Sequence, residues 1–368
     1  MKLKKINELY FISNEVIIKL FPLAVVVFPY FFISKEYAGE ISYTLALFIP
    51  ASVYLIGNLK QEALMVASQK RNFNHFLSEK ILLTIIIGSI LTLILFVVTD
   101  IKIGVITWRI TDILVELLLI PFFIAKDYKK LILFSLLRLS LYLILFFLTK
   151  FLLLENDIFS FLLISNVFII YFLLESQKTK LRLVNIRSNI VNVVGVVAII
   201  DSFVTQFPKF FLKIADGIEL IAEFTIYFYF IFPLGLLMEA ISILLLKTKN
   251  RIVSIDLEKS YYIILGIGSI LYLLVIIFLY NLRVFEIKYD LAIICILFGI
   301  TNYSILHIAN TRIVNFSGVS KFKFLSPYIV YGLLTLLLCW LNTANSLLFY
   351  FMILLFSSIV KGLLLRLC

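Results

Sequence analysis

The chain has 368 residues, 62% hydrophobic and only 15% charged, with a mean hydropathy of +1.10 and a formal net charge of +11. A water-exposed surface needs far more charge than that, so a soluble enzyme and a nucleic-acid-binding module are both excluded. Apolar runs of roughly 17–25 residues recur from end to end, the length that crosses the bilayer as a helix; barrel strands are shorter and alternate in polarity. The class is an all-α polytopic membrane protein.

In chain order the sequence predicts twelve spans, at 12–33, 41–57, 81–99, 109–125, 131–149, 158–175, 190–212, 222–245, 261–281, 290–309, 325–341 and 346–362. The basic opening Met1–Lys5 followed by an apolar run imitates a signal peptide. No small-residue cleavage site follows it, so it reads as the first span. The connections are short and none holds an independent domain. Lys and Arg set the orientation. Of the 33, 23 fall in the N-terminal segment, the C-terminal segment and alternate connections, including 58–80, 176–189 and 246–260. Both termini are therefore expected in the cytoplasm, and most of the +11 is this orientation signal.

The halves echo each other. Phe28-Pro29-Tyr30-Phe31-Phe32 returns as Phe207-Pro208-Lys209-Phe210-Phe211, 179 positions on. Glu79-Lys80 returns at the same offset as Glu258-Lys259, and Gly88-Ser89-Ile90-Leu91 returns as Gly268-Ser269-Ile270-Leu271. Pro50 and Pro233 form a looser pair. An offset near half the chain is too long for a solenoid unit. It places six spans between the copies, so both halves enter the membrane the same way, as a parallel repeat. The expected organisation is two six-helix lobes, 1–180 and 181–368.

The stretch Phe31–Leu83 carries a resemblance. Glu36-Tyr37-Ala38-Gly39-Glu40 and Tyr43 fill a turn into the second span, and Lys60-Gln61-Glu62 with Gln69-Lys70-Arg71 fill a polar, basic segment before the third. The pattern repeats more loosely from Phe210 to Arg251. It resembles the Wzx-type polysaccharide flippases, which move O-antigen and capsule repeat units, of the multidrug/oligosaccharidyl-lipid/polysaccharide exporter superfamily. The resemblance implies a MATE-like two-lobe fold and a location in the bacterial inner membrane. It also implies translocation of a polyprenyl-diphosphate-linked oligosaccharide, with a polysaccharide polymerase and a chain-length regulator as partners.

Ionisable side chains inside spans are costly and mark candidate sites. Glu15 and Lys19 stand at i, i+4 in the first span. Arg109, Asp112 and Glu116 form one stripe of the fourth. There Arg109 can neutralise Asp112, and Glu116 needs a further partner, for which Arg138 of the fifth span is the candidate despite an expected depth gap of roughly 10 Å. Asp201 lies in the middle of the seventh span with Thr205 one turn on, and Glu239 lies in the eighth. Tyr303, His307 and Asn310 make a polar stripe on the tenth. Lys19 and Arg138 read as the only cations within spans. A diphosphate in hydrocarbon needs compensating positive charge, and the guanidinium fork matches phosphate oxygens. Lys19, Arg138, Tyr303, His307 and Asn310 are therefore the expected substrate-binding residues. Asp201, Glu116 and Asp112 are the expected proton-coupling acids, Asp201 foremost because its own span carries no cation.

Cys295, Cys339 and Cys368 have no metal-ligand spacing and suggest no disulfide framework, and no phosphate-binding glycine loop occurs, so no metal and no cofactor are expected. Three functions compete: the lipid-linked oligosaccharide flippase, a cation-coupled drug or small-molecule antiporter of the same superfamily, and an O-antigen polymerase. The last displays its catalytic residues on a large external loop. Here external connections reach only about ten residues, so the chain is not expected to be an enzyme. The antiporter predicts an acidic cavity without buried cations.

Overall fold

The computed structural model describes residues 24–56, 73–98, 103–151, 158–177, 193–215, 217–229, 265–270, 288–314, 321–342 and 346–367, with single residues between them, among which are Asn14 and Phe21. The described chain is helical almost throughout. Its helices are α1 (24–32), α2 (Lys35–Ile56), α3 (Phe73–Val98), α4 (Ile103–Ile124), α5 (Tyr128–Phe151), α6 (Ile158–Gln177), α7 (Val193–Val204), α8 (Phe207–Ile214), α9 (218–229), α10 (Tyr289–Val314), α11 (Lys321–Leu341) and α12 (Leu347–Leu367). Four of them, α3, α5, α6 and α12, are long and apolar enough to cross a bilayer. Leu133, Ile144, Ile164, Phe168, Leu333 and Trp340 are all more than half exposed. An apolar exterior of this kind suits lipid rather than water.

Local chemistry sets the joints. Ser34 caps α2, its Oγ accepting from the Tyr37 N–H at 3.0 Å. The helix therefore starts at Lys35, six residues before the expected span, with Lys35 and Glu36 exposed in its first turn. Likewise α3 begins at Phe73 rather than 81, because Phe73 and Phe76 pack on the core that α4 shares. Between α4 and α5 the turn is minimal. The Lys126 N–H donates to the Phe123 carbonyl at 3.2 Å and the Asp127 N–H to the Phe122 carbonyl at 2.9 Å. Lys126 takes the left-handed conformation, φ 58°. This is the Schellman ending of a helix, with Lys where Gly is usual. Asp127 then caps α5 by accepting from the Lys130 N–H at 3.3 Å.

The seventh span is not one helix. α7 ends at Val204, Thr205 and Gln206 form a turn, and α8 starts at Phe207 with Pro208 in its first turn. Pro208 supplies no N–H and suits the first turn of a helix, whereas Pro50, Pro121 and Pro327 lie inside continuous helices. The echoed Pro motif thus opens a short helix in its second copy and closes α1 in its first. In both copies a short turn follows, and then a new helix, α2 or α9.

The chain divides into two compact units, Met1–Phe203 and Val204–Cys368. Within the first, α4 packs most extensively on α6, with α5 also against α6; within the second, α10 packs on α12, with α11 also against α12. Six spans separate each corresponding pair, so internal packing follows the parallel repeat read from the sequence.

Candidate functional site

The α4–α5 hairpin builds the site in the first unit. Asp112 lies 12 residues and Arg138 lies 10 residues from the intervening turn, roughly 18 and 15 Å along the two antiparallel helices. They meet, and Arg138 Nη2 is ion-paired with Asp112 Oδ1. The expected partner of Arg138 was Glu116, and this is corrected. Counted from the α4–α5 turn, Asp112 and Glu116 each stand within about 3 Å of the level of Arg138, so no depth gap remains, and it is the fully buried Asp112 that takes the guanidinium. Glu116, 21% exposed, lies 3.8 Å from Arg109 Nη1, and the same Arg109 nitrogen also contacts Asp112 Oδ2. The cluster holds two guanidiniums and two carboxylates.

A second layer of contacts fixes the cluster. Arg138 and Asp112 are each 1% exposed. The Arg138 guanidinium lies over the Phe21 ring at 4.0 Å and near the Tyr142 ring at 5.4 Å. Trp108 Nε1 donates to Tyr142 Oη at 2.7 Å, and Tyr142 Oη donates to Asn166 Oδ1 at 2.8 Å. Asn166 Nδ2 donates to Thr111 Oγ1 at 3.1 Å, which donates in turn to the Trp108 carbonyl at 2.8 Å. Three helices, α4, α5 and α6, are thereby closed into one ring of hydrogen bonds. Nearby, Ser135 donates to Asn14 at 2.7 Å. Two nitrogens of the buried guanidinium, Nε and Nη1, have no hydrogen-bond acceptor. Buried donors are nearly always satisfied, so two open ones on a single guanidinium set this cluster apart.

Sequence reading missed Trp108, Tyr142 and Asn166. Tyr142 was findable, standing one helical turn after Arg138, and Asn166 is the one Asn in the apolar α6.

In the second unit the expected residues are spread differently. Tyr303 is half-buried on α10, and the same helix carries His307 and Asn310. The reading of Lys19 and Arg138 as the only cations within spans is corrected. Lys361 is buried on α12, its Nζ donating to Asn302 Oδ1 at 3.2 Å and lying 4.3 Å from the Tyr331 ring and 5.6 Å from that of Tyr328. It falls inside the expected span 346–362 but one residue from its end, where a Lys reads as a flank, whereas α12 runs to Leu367. Lys209, counted as external, is 4% exposed on α8. Among the described residues of this unit the buried charges are Lys209 and Lys361, and no carboxylate is buried.

Asp201 lies in the last turn of α7, half-buried and just before the break at Thr205–Gln206, rather than mid-helix as the unbroken span implied. Lys19 and Glu239 lie outside the described residues.

No protein-family model matches the chain, and no curated protein matches it in sequence. Solved structures do match, over nearly its whole length. A crystal structure of a MATE mutant is similar with a TM-score of 0.59 at 14% identity, covering 98% of this chain and 95% of that one. A MOP superfamily transporter from Pyrococcus furiosus, described as having a binding pocket of reversed polarity that suggests a different function, matches with a TM-score of 0.58 at 13% identity, covering 98% and 95%. A multidrug resistance MATE family transporter of the MOP superfamily, in an outward-facing conformation, matches with a TM-score of 0.53 at 15% identity, covering 96% and 89%. At these identities the likeness is one of fold: this chain has the MATE architecture.

Proposed function

We propose that this chain is a transporter that flips a polyprenyl-diphosphate-linked oligosaccharide from the cytoplasmic to the outer face of the bacterial inner membrane, by alternating access between two six-helix lobes. The observation that carries the reading is the Arg138 guanidinium, buried in an apolar unit with two donor nitrogens lacking an acceptor. A planar fork of this kind suits phosphate oxygens in two-point contact. The balance of buried charge supports the same substrate class. Among the described residues it comprises Arg138, Lys209 and Lys361 against Asp112. Export of cationic drugs asks for the opposite balance, and reversed pocket polarity is reported in one structural neighbour.

Asp112, held between two guanidiniums, serves in this reading as the counter-ion that keeps Arg138 tolerable in the empty protein, a role distinct from proton carriage. Asp201, beside a helix break that can hinge, is the coupling acid. Lys19, Tyr303, His307 and Asn310 complete the substrate path, and the polymerase and chain-length regulator act on the delivered repeat unit.

The test is genetic and chemical together. Deleting the chain's gene in its host should remove surface polysaccharide and trap radiolabelled lipid-linked repeat units on the cytoplasmic leaflet, with rescue by the wild-type chain. Normal polysaccharide in the deletion strain would overturn the reading. Orientation is tested separately: single cysteines at Gln69 and Thr179 should resist an impermeant thiol reagent in intact cells, while one at Tyr37 reacts.

The antiporter reading is favoured by one feature, the pair of acids Asp112 and Glu116 on one stripe of α4. It predicts dye efflux from cells expressing the chain, which the flippase reading does not.

A further inference from the structure

Membrane helices carry Ser and Thr at little cost because the hydroxyl can bond back to the carbonyl three or four residues earlier. The second unit follows this habit at Thr225, Ser269 and Thr335, which donate to Ile221, Leu265 and Tyr331 carbonyls at 2.7–2.8 Å. Ser357 and Ser358 depart from it. Both are fully buried on α12, and neither hydroxyl has a hydrogen-bond partner. An unmade bond of a buried hydroxyl is a standing cost, and two adjacent ones on one helix call for an explanation.

Position supplies it. At about 100° per residue, Lys361 projects about 40° from Ser357 and about 60° from Ser358, one turn further along. Position 361 therefore lies angularly between the two serines, on the same face of α12. Facing it are Asn302 of α10, at 3.2 Å from Nζ, and the Tyr331 ring of α11. The helices are drawn close at this level by Gly362, where a Cβ would stand 2.9 Å from the Ile305 side chain of α10. The set comprises one ammonium, two hydroxyls and an amide, enclosed by aromatic rings.

We propose that Ser357, Ser358, Lys361 and Asn302 form a second oxyanion site, internal to the C-terminal unit, that takes a phosphate or diphosphate group. An oxyanion accepts from both hydroxyls at once and is attracted by the ammonium. A cation would meet Lys361 with like charge, and an apolar ligand would leave the hydroxyls unsatisfied. The site is closed in this structure, and a ligand is admitted when α12 shifts against α10 or α11. That the physiological ligand is the diphosphate of a lipid-linked sugar rests on the proposed function; the oxyanion chemistry does not.

The experiment uses the full-length protein in nanodiscs and isothermal titration with three probes: inorganic pyrophosphate, geranyl diphosphate and geraniol. The two diphosphates should bind and geraniol should not. Preference for geranyl diphosphate assigns the group to a lipid headgroup, and equal binding assigns it to free phosphate. Two variants localise the site. Ser357→Ala with Ser358→Ala removes hydroxyls that make no bond, so the thermal midpoint should hold or rise while diphosphate affinity falls at least tenfold. Lys361→Met should lower it further. Unchanged affinity in the folded double variant overturns the site, whatever the transport assays show, and identifies the two hydroxyls as a packing defect. Absence of diphosphate binding by the wild-type protein overturns it as well, while leaving the polysaccharide phenotype of the deletion strain to judge the flippase reading independently.

Discussion

The first unit buries Arg138 against a carboxylate, and the second buries Lys361 against an amide and tyrosine rings. Corresponding helices contribute in each case. In the first, α4 supplies Asp112, α5 supplies Arg138 and α6 supplies Asn166. In the second, α10 supplies Asn302, α11 supplies Tyr331 and α12 supplies Lys361. One repeat therefore carries two electrostatic solutions. The ion cluster depends on its partners: removing Arg138 leaves Asp112 to Arg109 alone, and removing Asp112 takes the carboxylate from the buried Arg138. Lys361 has an amide and a tyrosine ring against it where Arg138 has a carboxylate.

The largest expected effect breaks the comparison at Arg138. Arg138→Met leaves a buried carboxylate beside Arg109 alone and should destabilise the protein by about 3–5 kcal/mol, read by chemical denaturation in detergent. Combining it with Asp112→Leu should recover most of that loss; a double variant as unstable as the single one would mean that the pair is not the contact that matters. In the second unit Lys361→Met should cost about 2 kcal/mol, mainly the desolvated cation–π contact with Tyr331. If it cost as much as Arg138→Met, the contrast between the units would fail.

Smaller changes sharpen it. Phe21→Leu removes the ring under the Arg138 guanidinium and should cost about 1–2 kcal/mol, much of it recovered in the Asp112→Leu, Arg138→Met background if the ring acts through the cation. Lys126→Gly, at the left-handed position between α4 and α5, should stabilise by about 1 kcal/mol. That hairpin sets the level at which Asp112 meets Arg138, and destabilisation by Gly would show that the turn is held by the Lys126 side chain instead. For coupling, Asp201→Asn should abolish the response of transport to an imposed pH gradient while leaving protein level intact.

Much of this was legible in the residues. Length and apolarity give the helical class, and the Pro-centred echo gives the two halves, because Pro is scarce here and strongly constrains backbone. Arg138, Asp112 and Glu116 stand out because charge is costly in lipid. Pairing was harder to read. Counted from the α4–α5 turn, Asp112 and Glu116 stand equally far from the level of Arg138, so burial decides between them, and burial is not visible in the residues. Lys361 was hidden by its place near a span end, since a Lys there reads as a flank until the helix continues past it. The break after Val204 needed the structure, although Pro208 was its visible cause.

The most direct measurement is transport itself, in proteoliposomes loaded in parallel with a fluorescent polyprenyl-diphosphate oligosaccharide and with a cationic drug-like dye. The account predicts that the wild-type chain moves the lipid-linked oligosaccharide between leaflets and leaves the dye in place, and that free pyrophosphate slows that movement by competing for the buried cations. Dye export driven by a cation gradient, with the oligosaccharide stationary, would contradict it.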